Sequence, residues 1–273
     1  MIEKNDLPKR LSTYVDSLQK QGKLVFHLDE MASLLGITLS AARLSAYRLS
    51  KKKRIFRVYR NFYVIVPLEY QDIGCPPPDW FINPLMHHLK TDYYVGLLSA
   101  AALHGAAHQQ PMIFQVITSK YSRFISTPSM NIQLCQSHYI YKAGIEQKKT
   151  AAGCMNLSTP ELTAFDLVRY VRASGHYNHV ATVFTELAER IHGKKLARLA
   201  KGLSQMHGEW IYWQRLGYIL DSVGFQKIAD PLATVIHKYQ PAFTYFVSGK
   251  TENVLEKSSR WRLYINDSLE ADI

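Results

Sequence analysis

The pattern of apolar and polar positions divides the chain into a short head and a longer body. Over residues 6–20 (DLPKRLSTYVDSLQK), Leu7, Leu11, Tyr14, Val15 and Leu18 recur at helical spacing, with Asp6 placed to cap the start and Gly22 after the end. Val25 and Phe26 form a short strand. A second helix spans 29–35, with Met31, Leu34 and Leu35 apolar and Asp29 and Glu30 in its first turn, where acids favour the helix dipole. Gly36 suits a left-handed cap, Ile37 can bury between helices, and Thr38 stands as N-cap of the next helix. That third helix, 39–52, turns Ala42, Ala46 and Leu49 inward and Ser40, Arg43, Leu44, Tyr47 and Lys51 outward. A hairpin follows. Its strands, 55–58 and 62–66, are β-branched and aromatic, Arg60-Asn61 forms the turn, and Phe62, Val64 and Val66 alternate onto one face. Helix, turn, helix and hairpin in this order predict a winged helix-turn-helix.

After Pro67 the pattern changes. Cys75-Pro76-Pro77-Pro78 cannot be helix interior, so the boundary falls in a linker, 68–78, between a 1–67 domain and a 79–273 domain. Residues 80–89 predict a short helix entered or broken at Pro84, and 93–104 a buried helix ended by Gly105. Strand-like runs lie at 113–118, 131–135, 139–142 and near 153–157, and the ITSKYSRF stretch between the first two reads as a basic loop. From Ser158 the chain turns helical. Ser158-Thr159-Pro160-Glu161 has the form of a capping box with an early proline, and helices are expected at 159–173, 178–190, 194–205, 207–222 and near 229–237. In the third of these, Leu196, Leu199, Ala200 and Leu203 make an apolar stripe opposite Lys194, Arg198 and Lys201. Residues 261–265 (WRLYI) read as a strand returning to the earlier sheet. The fold class expected is α+β: a winged helix-turn-helix, then a mixed domain with a small sheet (79–157) and a mainly helical part (158–240).

Charge sharpens this picture. At 273 residues, with 47% hydrophobic and 20% charged residues, the chain can bury a real core. Its net charge of +11 is uneven, because residues 1–66 hold 13 Lys/Arg against 5 Asp/Glu. Arg43, Arg48, Lys51, Lys52, Lys53, Arg54, Arg57 and Arg60 follow one another without an acid between them. Such a surface suits a polyanion. In a major groove Arg43 can bond guanine edges and Leu44 can meet a thymine methyl. The DNA-contacting set is therefore Thr38, Ser40, Arg43, Leu44, Tyr47, Arg48, Lys51, Lys52, Lys53, Arg57 and Arg60, the last two reaching phosphates or a minor groove from the hairpin. The plainer alternatives are a solvated basic helix, and arginines that keep an edge strand soluble. Lys194, Arg198 and Lys201 could likewise face an acidic partner or the DNA backbone, or simply water.

Catalytic patterns are absent from the sequence: no HExxH, G-x-S-x-G, Walker loop or GxGxxG. Cys75, Cys135 and Cys154 lack metal or redox spacing, which favours a reducing compartment. MIEKNDLPKR has no signal-type apolar segment, and the apolar run 93–107 is short for a bilayer, so a cytoplasmic protein is expected. His87 and His88 would diverge on a helix, and Gly105 interrupts the His104/His108 spacing. Pro78-Asp79 resembles the start of a nuclease motif, yet no E-x-K strand accompanies it. Glu161 is read as a cap and Asp166 as a buried acceptor. Trp210, Tyr212, Trp213 and Tyr218 could stack on bases but fit a core better. No catalytic residue, metal or cofactor is expected.

The order of blocks resembles the AbiEi antitoxin family of bacterial abortive-infection (type IV toxin–antitoxin) systems. LDEMASLLGITLSAARLSAYRLSKKKRIFRVYRNFYVIVP is similar to that family's winged-helix segment, YYVGLLSAAALHGAAHQQPMIFQVIT to its next block, and STPELTAFDLVRY to a further helix start. The resemblance implies a transcriptional autorepressor that binds promoter inverted repeats. It also implies an antitoxin that counters a nucleotidyltransferase-like toxin, without a stable complex being required. Leu39 and Leu44 stand where family members often carry an Arg or another polar residue. An alternative reading is a phage-defence nuclease, or another nucleic-acid enzyme, targeted by the winged helix.

Overall fold

The computed structural model describes residues 10–106, 111–120, 123–127, 129–249 and 254–270. Asp6 and Leu7 of the first helix, His108, and Tyr121 and Ser122 of the basic loop lie outside them. The head runs α1 (Leu11–Lys20), β1 (Val25–His27), α2 (Leu28–Leu35), α3 (Leu39–Lys51), β2 (Ile55–Tyr59) and β3 (Phe62–Ile65). Its three strands pair antiparallel in the order β1-β3-β2. Leu11, Val15, Met31, Ala42, Ala46, Ile55, Tyr63 and Ile65 form the core under the helices. Ala42 and Ala46 on α3 are fully buried, and their small size lets α3 lie close to its neighbours.

The hairpin departs from a one-faced ribbon. All four residues of β3 are buried. Tyr63 and Ile65 face the head helices, while Phe62 and Val64, with Val58 on β2, face the body. A register shift between Arg57 and Tyr59 accompanies the inward turn of Val58.

The body holds a six-stranded mixed sheet in the order β6-β7-β5-β4-β9-β8. Its strands are β4 (Tyr93–Val95), β5 (Ile113–Thr118), β6 (Arg123–Thr127), β7 (Met130–Gln136), β8 (Ile145–Thr150) and β9 (Gly153–Ser158). Alternation splits the side chains between two layers. Tyr93, Val95, Val116, Leu134 and Leu157 pack with Ile82, Leu85 and Met86 of α4 (Ile82–His88) and with the head's sheet. Tyr94, Ile117 and Cys135 pack against the helical layer. That layer comprises α5 (Leu97–Leu103), α6 (Pro160–Arg169), α7 (His176–Leu187), α8 (Gly193–His207), α9 (Trp210–Ser222) and α10 (Gln226–Tyr239).

Several expectations are corrected. The predicted helix 93–104 is a strand, Gly96 and then a helix. Gly96 is extended and Leu97 sits at φ 54°, which breaks a continuous helix. A continuous apolar run fits either element, and here Tyr93–Val95 is claimed by pairing with β5 and β9. The 139–142 run is not a strand. Polar β8 and β6 take edge positions instead, which need no second apolar face. Residues 261–265 do not return to the six-stranded sheet. Leu263–Ile265 (β12) lies between β10 (Thr244–Tyr245) and β11 (Glu256–Ser258) in a separate three-stranded sheet. The capping box is also altered, since Thr159 is the N-cap and accepts from Leu162 N at 3.4 Å. Buried Glu161 instead accepts from the His192 amide at 3.0 Å, tying α6 to the start of α8.

The segment 68–78 is anchored at its middle, from the head and from the body. Lys53 Nζ donates to the Asp72 carbonyl at 2.6 Å, and Ser129 Oγ to the Ile73 carbonyl at 2.8 Å. At the hairpin tip His88 stacks on His27 with ring centroids 4.9 Å apart, and its Nε2 meets the Arg60 carbonyl oxygen at 3.1 Å. Among the described residues no helix is long and apolar enough to cross a membrane.

Candidate nucleic-acid interface

The face in question begins at the turn between α2 and α3. Gly36 adopts φ 62°, ψ 32°, a left-handed cap that ends α2. Two residues on, Thr38 Oγ1 accepts from the Ala41 amide at 3.2 Å and starts α3. The hydroxyl remains free to donate. With Ala42 and Ala46 holding the inner side, Ser40, Arg43, Leu44, Tyr47, Arg48 and Lys51 are all exposed. Leu44 and Tyr47 are 52% and 59% exposed, with Leu39 at 47% beside them. Three large apolar side chains on two turns of one helix leave water-accessible area that a partner could cover.

Around them the charge is uncompensated. Among the described residues Arg43, Arg48, Lys51, Lys52, Arg57 and Arg60 form no ion pair. Lys51 Nζ lies 5.4 Å from the centre of the Tyr47 ring, so cation and phenol present one surface. Two cations of the run are otherwise engaged. Arg54 pairs with Asp16 of α1, and Lys53 is bound to the Asp72 carbonyl. Lys53 also carries φ 52° where the chain leaves α3.

A cleft of about 830 Å³ separates α3 from the hairpin, lined by Leu39 and Arg43 on one side and Arg57, Tyr59 and Arg60 on the other. Asn61 fixes its end. This residue takes φ 65°, and its Oδ1 accepts from the Asp29 amide at 3.0 Å. A separate side-chain hydrogen bond with Asn61 lowers the Asp29 carboxyl below its usual range. Asp29 therefore stays ionised at the cleft's edge. Ser126 and Thr127 of β6 also line the cleft, and Arg123 lies with its guanidinium 5.4 Å from the Tyr59 ring centre. Sequence reading missed this contribution from the body, since RFIST carries only an alternating pattern and no signal of its neighbour.

The remaining candidates fall elsewhere. Lys194, Arg198 and Lys201 are exposed on α8, opposite buried Leu196, Leu199, Ala200 and Leu203. Trp213 is fully buried and stacks on Phe165 at 4.2 Å, Tyr212 meets the same ring edge-on, and Tyr218 packs edge-on against Phe246. These aromatics build the core. His104 ends α5, with Nε2 2.7 Å from the Ser158 carbonyl oxygen. No group of three His, Cys, Asp or Glu among the described residues could hold a metal. Burial raises the Asp79 carboxyl, with only Lys148 opposing as a nearby charge. Asp166 is fully buried and accepts from Tyr94 OH at 2.8 Å; burial pushes its carboxyl up to about 7.

Comparison with known proteins adds two findings. The RV2827C protein from Mycobacterium tuberculosis, known from a crystal structure, shares the fold, with a TM-score of 0.65 over 95% of this chain and 92% of that one, at 14% identity. No curated protein matches the chain in sequence. Residues 94–222 match the family described as the AbiEi antitoxin C-terminal domain, a span from β4 through α9 that leaves the basic head outside it. Over residues 94–222 the chain therefore carries an AbiEi antitoxin C-terminal domain, a domain of the antitoxin side of a toxin–antitoxin system.

Proposed function

We propose that the head is a winged helix-turn-helix that reads duplex DNA with α3, and that the chain represses its own operon while serving as the antitoxin. One observation carries this reading: a face that, among the described residues, has no ion pairs of its own, on which Arg43, Leu44, Tyr47 and Lys51 stand exposed beside a cleft walled by Arg57 and Arg60. Arg43 and Ser40 supply donors for base edges, Leu44 an apolar contact for a thymine methyl, and Arg48, Lys51 and Lys52 neutralise phosphates. The hairpin tip, pinned by His88 and Asn61, holds Arg57 and Arg60 in place rather than on a swinging arm. The body acts without catalysis, countering a nucleotidyltransferase-like toxin in the cytoplasm with no stable complex required. Lys194, Arg198 and Lys201 offer that task a cationic face on α8.

The test is a gel-shift titration with the fragment upstream of the operon and a scrambled duplex of equal length. Arg43→Ala and Tyr47→Ala should each weaken the upstream complex by about 1–3 kcal/mol while leaving scrambled-duplex binding nearly unchanged. Equal loss on both duplexes, or no loss on either, would reject α3 as the reading element.

A further inference from the structure

A second, larger cleft of about 1240 Å³ opens in the antitoxin domain, between the end of β7, the start of α7 and the 246–248 segment. The DNA-binding reading makes no use of it. Its lining brings together two positive features that lack an anion.

The first is the N-terminus of α7. Gly175 at φ 81° occupies the N-cap, so no side-chain oxygen caps the helix, and its first turn contains no acid. A larger residue cannot take that place, because a Cβ on Gly175 would lie 2.9 Å from the His179 ring. Among the described residues the amides of Tyr177 and Asn178 have no acceptor. Open amides and the helix dipole together attract an anion.

The second is Arg215 on α9, which lines the same cleft and is only 5% exposed. Its Nη2 donates to the Tyr245 carbonyl at 2.9 Å and to Ser248 Oγ at 2.8 Å, while its Nε is buried without a partner. No carboxylate pairs with it among the described residues. Its guanidinium carbon lies 6.0 Å from the Tyr177 ring centre, beside the uncapped turn. A buried cation without a counter-ion is costly, and placing it at a positive helix end adds to that cost. Exposed Arg172 extends the positive side of the cleft.

We infer that this cleft binds a phosphate-bearing small molecule of mononucleotide size, its phosphoryl group between the first amides of α7 and Arg215. Tyr177, half-buried and packed on buried Phe246 at 4.6 Å, supplies aromatic lining for a ring on the ligand. The volume exceeds what a mononucleotide needs. Asp267 and Glu270 line the cleft as well. They oppose a polyanion laid across it, whereas one phosphoryl group can enter without passing along them.

The experiment is isothermal titration of the full chain with inorganic phosphate, AMP, GMP and a short duplex, repeated on Asn178→Asp and Arg215→Lys. Asn178 Oδ1 accepts from the Glu270 amide at 3.3 Å. The Asp variant keeps that acceptor while placing a fixed carboxylate at the helix start. Thermal melts establish that each variant is folded. The expected result is saturable binding of at least one nucleotide, at least about tenfold tighter than inorganic phosphate and weakened about tenfold or more by Asn178→Asp. Three results would overturn the assignment: no saturation by any nucleotide up to about 10 mM, no gain of nucleotide over inorganic phosphate, or nucleotide affinity unchanged in a folded Asn178→Asp. Displacement of the nucleotide by the duplex would also overturn it, by giving the cleft to nucleic acid.

Discussion

Asp166→Asn should make the protein more stable at pH 8 and remove a pH dependence that the wild type carries. Asp166 is fully buried on α6, with one oxygen accepting from Tyr94 OH at 2.8 Å and the other, Oδ1, unpartnered. Burial pushes its carboxyl up to about 7, against the opposing pull of Arg169 and the Tyr94 hydrogen bond, with Glu209 adding to the rise. Arg169 is itself paired with Glu209 at 2.7 Å, so its charge is shared. An unfolded Asp titrates near 3.9. Between these two values the folded state holds a proton that the unfolded state has lost, so stability falls as pH rises from about 4 through about 7. Integrated, the fall amounts to about 4 kcal/mol in full, of which roughly 2–3 kcal/mol lies between pH 5 and pH 8. The amide keeps an acceptor for Tyr94 and carries no charge, but its NH₂ replaces the unpartnered Oδ1 and costs about 1–3 kcal/mol. Urea unfolding of both proteins at pH 5, 6, 7 and 8 reads the outcome directly. The stability difference, variant minus wild type, should climb by roughly 2–3 kcal/mol across that range. A difference that stays flat with pH would refute the burial argument.

Two further outcomes follow from packing and charge. Gly217→Ala should cost about 3 kcal/mol or more in a thermal or urea melt, because a Cβ there would meet Trp261 ring carbons at 2.0–2.4 Å. Trp261 cannot retreat easily, being 1% exposed and donating from Nε1 to Asp221 at 2.7 Å. Lys51→Ala and Lys52→Ala should each lower the salt slope of duplex binding by about 1, whereas Lys53→Ala should leave it nearly unchanged. The contrast rests on the Lys53 ammonium being bound to the Asp72 carbonyl, and equal slopes for all three variants would remove it.

Much of the head was legible because its signals are local. Gly36, Thr38, the inward alanines and the Arg60-Asn61 turn each specify backbone within a few residues. The face that would meet DNA was legible for the same reason, since exposure on α3 follows from helical period. What stayed hidden depends on distant partners. Nothing in FYVIV announces that Phe62 and Val64 bury against α4 and the six-stranded sheet while Tyr63 and Ile65 bury against the head helices. YYVGLLSAAALH fits a helix by composition, and only pairing with Thr118, Ile117 and Val116 on β5 makes its start a strand. α10 begins three residues before the expected 229 and continues through Pro231, although proline interrupts a helix in isolation. Buried Ala229, Leu232 and Ile236 hold it against the helical layer. The uncapped start of α7 and the uncompensated Arg215 had no sequence signature, because a missing partner shows only in three dimensions.

Oxidative footprinting of side chains by hydroxyl radicals, read by mass spectrometry on the full chain with and without the upstream duplex, decides whether α3 lies against DNA. Leu44 and Tyr47 are 52% and 59% exposed on α3, and Tyr139 and Leu255, at 48% and 65%, serve as references in the body. The duplex should shield Leu44 and Tyr47 and leave Tyr139 and Leu255 as reactive as before. Unchanged oxidation of Leu44 and Tyr47 in a saturated complex would contradict it.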